Sequence, residues 1–522
     1  MTDDQIADRW DRLTPRQRLA RILLVLSEMT PDGVVTEDTL AAAAEGVGAF
    51  HGPPMLGSGL ADRVGLARTF NRELRRRADE RLGTEPFIGA NAECGLVYSL
   101  GRGGTDVPYP AALGELSPRS SYEAGRQVGL DLASCGYDWA LQPSVDVRVS
   151  RSDPVIGVRA FGADPSVVSA HAVAYVEGIQ STGVLATAKH FPGHGDASVD
   201  SHLGLPVVRR TERDHHEIHL RPFRAVIEAG VASIMTAHVV LPDLGLEEAA
   251  TFSPEICRDL IRNQLDFDGV LVSDSLRMKA VSERDTARNK VIRALVAGND
   301  LVNIKCSPAA VPSLLDQLET ALRTGDLPEN DLYRAFGRVV SATQRRSVSA
   351  GEGAADSSEG VAVSELQTIV EVTDPQGRLP LPLGVGDAVG VLVDPAGTFA
   401  EPLSGVLDEL SAMLGTRLVP IRQGDSLPDD VHAVVVLSRG QAGPSDTEIA
   451  HLRAVEDGDV PAAFLGGGPK DASDRCSTSL PTVRAPFIDV FGIVSRGTAH
   501  LAFRALLGDR RTTSFGQECM AS

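Results

Sequence analysis

Lys189-His190-Phe191-Pro192-Gly193-His194-Gly195-Asp196, continuing to Asp200-Ser201-His202, is the stretch on which the reading of this chain turns. Its fourteen residues hold three histidines, two aspartates and a lysine. Pro192, Gly193 and Gly195 are turn formers that keep it from being a helix. The preceding run, residues 183–188, reads as a short buried strand. The polar groups are therefore expected to leave a strand end and ride on a loop. Dense titratable chemistry in such a place points to an active site rather than a core.

Outward from this stretch, strands and helices alternate with short links. Thr14 and Pro15 open a helix expected over 14–29, with Leu19, Ile22, Leu23 and Leu26 at helical spacing. Further helices are expected over 65–82, 121–134 and 212–229, and one is opened by Asp164-Pro165 with Val168, Ala172, Val176 and Ile179 on one face. Ser253-Pro254-Glu255 opens another, and one more ends at Ala297. Strands are expected over 86–90, 231–235, 269–272 and 300–304. Polar residues recur at strand ends: Asn91, Asp146, Lys189, His190, His238 and Asp274. In a parallel β/α barrel these would converge on one face. A doubly wound sheet would also align them, along a wider edge. The barrel is the favoured reading.

Residues 346–364 turn Ser-, Gly- and Ala-rich and read as a linker. Beyond it, candidate strands at 388–393, 417–421, 433–437 and 461–465, with a closing helix at 499–507, suggest a second, smaller α/β sandwich domain. The expected layout is a barrel over 1–345, the linker, and the second domain over 365–522. Gly466-Gly467-Gly468 lacks the lysine and serine of a phosphate loop and reads as a turn.

With 522 residues and 43% hydrophobic content, two globular domains fit. A formal charge of −20 argues against nucleic acid or an anionic membrane as main partner. The acidic start has no apolar signal core, and no apolar run is long enough to span a bilayer. Six scattered cysteines (94, 135, 257, 306, 476 and 519) show no metal-type pairing and read as free thiols. A cytoplasmic protein is the simplest expectation.

The central stretch resembles the Lys-His-Phe-Pro-Gly-His-Gly…Asp-Ser-His signature of family 3 glycoside hydrolases, in their β-N-acetylglucosaminidase branch. The resemblance implies a TIM-like (β/α)8 barrel and a retaining, double-displacement glycosidase needing no cofactor or metal. Retention requires a carboxylate nucleophile and a proton donor. Asp274, in Val272-Ser273-Asp274-Ser275, follows a run similar to the family's strand before its nucleophile. Read alone, Ser273-Asp274 at a strand-to-helix junction would be a helix cap. The resemblance assigns the proton donor to His202, oriented by Asp200, and sugar contacts to Lys189, His190 and Arg159. Alone, Arg159 could equally pin a loop to a helix terminus. A metal cluster of His190, His194, Asp196 and His202 is disfavoured, because Pro192 and Gly193 break the helix that such spacing needs.

One departure stands out. The branch shows Asp-x-Glu-Gly-Gly-x-Val-x-Arg after an early strand, where this chain has Asn91-Ala92-Glu93-Cys94-Gly95-Leu96-Val97-Tyr98-Ser99. A carboxylate that grips distal sugar hydroxyls becomes the Asn91 amide, and the arginine becomes Ser99. The substrate is expected to be a small-molecule glycoside of GlcNAc or a related amino sugar. A phosphorylase, a glycosidase specialised for an amino-sugar metabolite, and a non-catalytic sugar-binding barrel are the alternatives.

Overall fold

The computed structural model describes residues 1–53, 62–100, 107–149, 155–197, 204–282 and 285–343, together with six strands between 370 and 490. Eight short parallel strands form the first sheet. They are β1 (Leu23–Val25), β2 (Ala49–His51), β3 (Phe87–Ala90), β4 (Trp139–Ala140), β5 (Leu185–Phe191), β6 (Ser233–Thr236), β7 (Val270–Ser273) and β8 (Val302–Asn303). The order β7-β6-β5-β4-β3-β2-β1-β8 follows the chain, and a bridge from Val272 to Leu301 joins the two ends. The sheet is thus the expected TIM-like barrel with helices between its strands.

Alternation along the strands builds the core. Leu24, Ala49, Phe87, Trp139, Leu185 and Val270 form one buried cluster. Their neighbours Leu23, Phe50, Ile88, Ala140, Ala186 and Leu271 pack in a second cluster with helix residues such as Val128, Val176 and Phe223. A period of two sends successive side chains to opposite faces, so each strand feeds both layers. Thr14, Ser117, Asp164 and Thr286 cap helices through their side-chain oxygens.

Two expectations need correction. The helix expected over 14–29 stops at Ala20, and Leu23–Val25 is the first barrel strand. The run from Ile22 to Val25 is fully buried, and a short apolar run satisfies helix and strand spacing alike. β2, with only three residues, carries too little pattern to announce itself. Lys189 and His190 lie inside β5 rather than on a following loop.

The register of β5 explains how both reach the site. Lys189 pairs with Met235 and Phe191 with Thr236, so His190 is an extra residue against β6. In an unbroken strand Lys189 and His190 would face opposite ways; the added residue removes that constraint. Past Phe191, Gly193 and Gly195 stand where a side chain would not fit. Gly193 has a φ of 109°, and a Cβ on Gly195 would stand 2.0 Å from the Val147 carbonyl oxygen.

The second sheet has the order β11-β10-β12-β13-β14-β9, built from β9 (Val370–Thr373), β10 (Ala388–Val393), β11 (Arg417–Ile421), β12 (Val431–Leu437), β13 (Ala462–Gly466) and β14 (Phe487–Val490). Its pairs are parallel except for β14 with β9. The four expected strands are present, and β9 and β14 were not foreseen. The linker at 346–364, the turn after Gly466 and the helix at 499–507 lie outside the described residues.

Candidate active site

The polar strand ends meet at the C-terminal face of the barrel, where parallel β/α barrels carry their chemistry. Glu93, just after β3, is the hub of one wall. Its carboxylate takes a two-pronged contact from Arg159, at 2.7 Å from Nε and 2.8 Å from a terminal nitrogen. Lys189 Nζ lies 2.6 Å from the same carboxylate and 3.4 Å from Asn91 Oδ1. Burial alone would raise the Glu93 carboxyl, but Arg159 and Lys189 reverse that and hold it below the usual range. Lys189 moves down: burial outweighs the attraction of Glu93.

Asp146 is the hub of the next wall. Its buried carboxylate accepts from His190 Nδ1 at 2.8 Å, the His190 amide at 3.1 Å, the His194 amide at 2.7 Å and Ser144 Oγ at 2.9 Å. A carboxylate can only accept, so a neutral His190 keeps its proton on Nδ1. His190 Nε2 is then an acceptor, 3.4 Å from an Arg159 nitrogen.

Asp274 follows β7. Its amide donates to the Thr236 carbonyl at 3.0 Å, and its Oδ1 accepts from the Ser275 amide at 2.6 Å. Burial pushes this carboxyl up, but His238, His190, the Ser275 amide and Lys189 more than offset it and hold it at about 2. His238 itself is fixed between Thr251 Oγ1 at 2.9 Å and the Ser275 carbonyl at 3.0 Å. Asp274 is not a helix cap, because the following helix begins only at Lys279.

Of the residues singled out from sequence, the structure brings Asn91, Arg159, Lys189, His190 and Asp274 to one end of the barrel. Asp200 and His202 lie outside the described residues. Sequence pattern alone gives Glu93 no role, and its importance appears only in three dimensions. Asp146 and His238 were noted as strand ends, without their partners. A cavity of about 510 Å³ at the opposite end of the barrel, lined among others by Ala232, Gly269, Val270 and Arg338, contains none of these groups.

The glycosyl hydrolase family 3 N-terminal domain matches residues 42–342, more than half of the chain and nearly all of the barrel. The chain belongs to glycosyl hydrolase family 3. Among family relatives, a β-hexosaminidase of Nitrosomonas eutropha is 34% identical over 265 residues, covering 49% of this chain and 76% of the relative. The β-hexosaminidase LpqI of Mycobacterium tuberculosis is 36% identical over 225 residues, covering 42% of this chain and 57% of that protein. A family 3 β-N-acetylglucosaminidase structure from Paenibacillus sp. str. FPU-7 superposes with a TM-score of 0.80 at 27% identity, covering 95% of this chain and 97% of that one. Among the described residues of this family 3 chain, no helix is long and apolar enough to cross a membrane.

Proposed function

We propose that this family 3 protein is a retaining β-N-acetylhexosaminidase-type glycoside hydrolase, cleaving terminal GlcNAc or a related amino sugar by double displacement. The observation that carries the reading is the Asp274 carboxylate at the end of β7, held at about 2 and so ionised against the penalty of burial, with its Oδ1 taking the Ser275 amide at 2.6 Å. A nucleophilic carboxylate must be ionised and must face the anomeric carbon from a rigid strand end.

In the first step an Asp274 oxygen attacks the anomeric carbon. The bond to the aglycone oxygen breaks, and that oxygen takes a proton from the His202 imidazolium. In the second step water attacks the same carbon and gives its proton to His202, while Asp274 leaves as carboxylate. By the Asp-Ser-His motif, Asp200 is assigned to orient the His202 ring and stabilise its charged form. The roles of His202 and Asp200 rest on the Asp-Ser-His motif. Lys189 and Arg159 supply donors and His190 Nε2 an acceptor for the sugar, with Asn91 beside them. The relatives at 34 and 36% identity are named hexosaminidases, which favours hydrolysis over a phosphorylase or a sugar-binding barrel.

The test is release of nitrophenol from p-nitrophenyl β-GlcNAc, with and without phosphate, against the matching glucoside. Faster hydrolysis of the GlcNAc glycoside, unaffected by phosphate, is expected. Faster cleavage of the glucoside, or a rate that requires phosphate, would overturn the reading.

A further inference from the structure

We propose that Lys290 and His238 are positioning residues for the nucleophile, gripping from two different elements the turn that carries Asp274. This rests on the reading of Asp274 as the nucleophile and goes beyond it to what sets its aim.

Lys290 lies near the start of the helix Ala287–Ala297, with 7% of its surface exposed. Its ammonium bonds the Leu276 carbonyl at 2.9 Å, and among the described residues no carboxylate pairs with it. Three costs meet in this side chain. A buried charge without a counterion is unfavourable. A cation in the first turns of a helix opposes the positive end of the helix dipole. A long side chain held in one geometry gives up rotamer freedom. Burial pushes the ammonium below its ordinary value, and Asp285 pulls it only partly back. A methionine would fill the same space without these costs. What the lysine adds is a charge-assisted bond to one carbonyl, two residues beyond Asp274.

His238, just after β6, makes the matching contact one residue earlier. Its Nε2 stands 3.0 Å from the Ser275 carbonyl, which can only accept, so this nitrogen carries the proton. Thr251 Oγ1, 2.9 Å from Nδ1, and the Phe252 ring stacked on the imidazole keep the ring in place. The successive carbonyls of Ser275 and Leu276 are thus each held by a side chain from another element.

The amides of the same turn are tied as well. The Asp274 amide meets the Thr236 carbonyl at 3.0 Å, and the Leu276 amide meets the Asn303 carbonyl at 2.9 Å. Between them the Ser275 amide donates to Asp274 Oδ1 at 2.6 Å. The direction of the nucleophile's carboxylate therefore follows the backbone at Ser275. His238 and Lys290 fix that backbone on the side leading away from Asp274. Neither has to touch the sugar to matter, because a misplacement of about 1 Å at the reacting atoms can cost a rate factor of roughly 100.

The experiment follows hydrolysis of p-nitrophenyl β-GlcNAc, calorimetric affinity for GlcNAc, and amide hydrogen exchange. It compares the wild type, Lys290→Met, Lys290→Arg, His238→Phe and the Lys290→Met, His238→Phe double variant. Methionine keeps the stem and phenylalanine keeps the stacked ring, so both remove the grip and little packing. Lys290→Met is expected to lower kcat ~10- to 100-fold, with GlcNAc affinity unchanged and a melting temperature within a few degrees of wild type. Exchange should quicken at the Ser275, Leu276 and Met278 amides but not along β7. Lys290→Arg keeps the charged donor and should recover most of the rate. The double variant should lose less than the product of the two single losses, because both residues act on one turn. An unchanged kcat in Lys290→Met would overturn the proposal, and so would a loss of kcat without faster exchange in the turn. A double variant that loses the full product would show two independent defects and would overturn it too. If Lys290→Met does not fold, His238→Phe decides by the same two readings. If the folded wild type cleaves no GlcNAc glycoside, the hexosaminidase reading falls, and the exchange pattern alone decides whether the two residues hold the turn.

Discussion

His190 Nδ1 stands 2.8 Å from Asp146 Oδ2, and the same carboxylate reaches the His194 amide at 2.7 Å through its other oxygen. One buried group thus sets the ring that faces the site and the backbone that leads away from β5. His190 Nδ1, the His190 and His194 amides and Ser144 Oγ all donate to Asp146, so an amide there must turn its own N–H toward one of them. Asp146→Asn is expected to cost about 2–4 kcal/mol of stability and to lower kcat/KM at least ~100-fold. Nitrogen NMR of His190 separates positioning from general damage. The wild type should show the Nδ1–H form and the variant a mixture. Unchanged kcat/KM in a variant with a shifted tautomer would show that His190 does not act through its free nitrogen.

Asp274→Ala should abolish turnover while the melting temperature stays within a few degrees of wild type. The strand end is fixed by backbone bonds such as the Asp274 amide to the Thr236 carbonyl at 3.0 Å, which the substitution keeps. The carboxyl is held at about 2, well below an ordinary carboxyl near 3.8. The kcat/KM profile should therefore show no acid limb near pH 4 wherever the enzyme remains folded. An inflection there, or wild-type rates in the Ala variant, would remove Asp274 from the nucleophile's role.

The barrel was legible because alternating strands and helices leave a strong pattern over long stretches. Asp164-Pro165 and the apolar face behind it were enough to announce the helix Pro165–Gln180. What escaped were elements too short to carry a period, such as β1 and β2. The site was legible as residue types at strand ends, and Lys189, His190 and Asp274 do converge. Their partners were not. Nothing in the spacing between Glu93 and Arg159 says that they join across 66 positions, since a long-range ion pair leaves no periodic trace. The placement of Lys189 and His190 within β5 was hidden because an extra residue in a strand imitates the start of a loop.

Glu93→Gln leaves Lys189 and Arg159 facing each other without the charge that separates them. Removing one partner of a buried charge group costs roughly 3–5 kcal/mol, and kcat/KM should fall ~100-fold or more. The pH dependence has a definite sign. Glu93 is held below its ordinary value of 4.5, so its contribution is fully present above that value and is lost as pH falls toward its folded pKa. The stability gap between wild type and Glu93→Gln should be widest near pH 7 and narrow below about pH 4. A gap that stays constant down to pH 3 would mean that the carboxylate is not held by the two cations.

His194 gives the last prediction, and it concerns the onset of acid unfolding. The residue is 3% exposed, and among the described residues neither ring nitrogen has a hydrogen-bond partner. Burial first, then His190, pushes it from 6.5 down to about 4, against the opposing pull of Asp146 and Asp274. The unfolded chain therefore takes up this proton below about pH 6.5 while the folded chain stays neutral. The stability lost between pH 6.5 and 4 amounts to about 3 kcal/mol from this ring alone, and then levels off. His51 and His215 shift the same way, to about 4 and about 3, chiefly through burial. Asp274 adds its loss only in a lower window, between 3.8 and about 2. Melting temperature followed by calorimetry should consequently start to fall near pH 6.5, before any carboxylate titrates. His194→Gln cannot take up a proton, so it should flatten the part of the curve between pH 6.5 and 4. A wild-type melting temperature that holds steady to pH 4.5 and breaks only below it would show that His194 is not kept neutral by its surroundings.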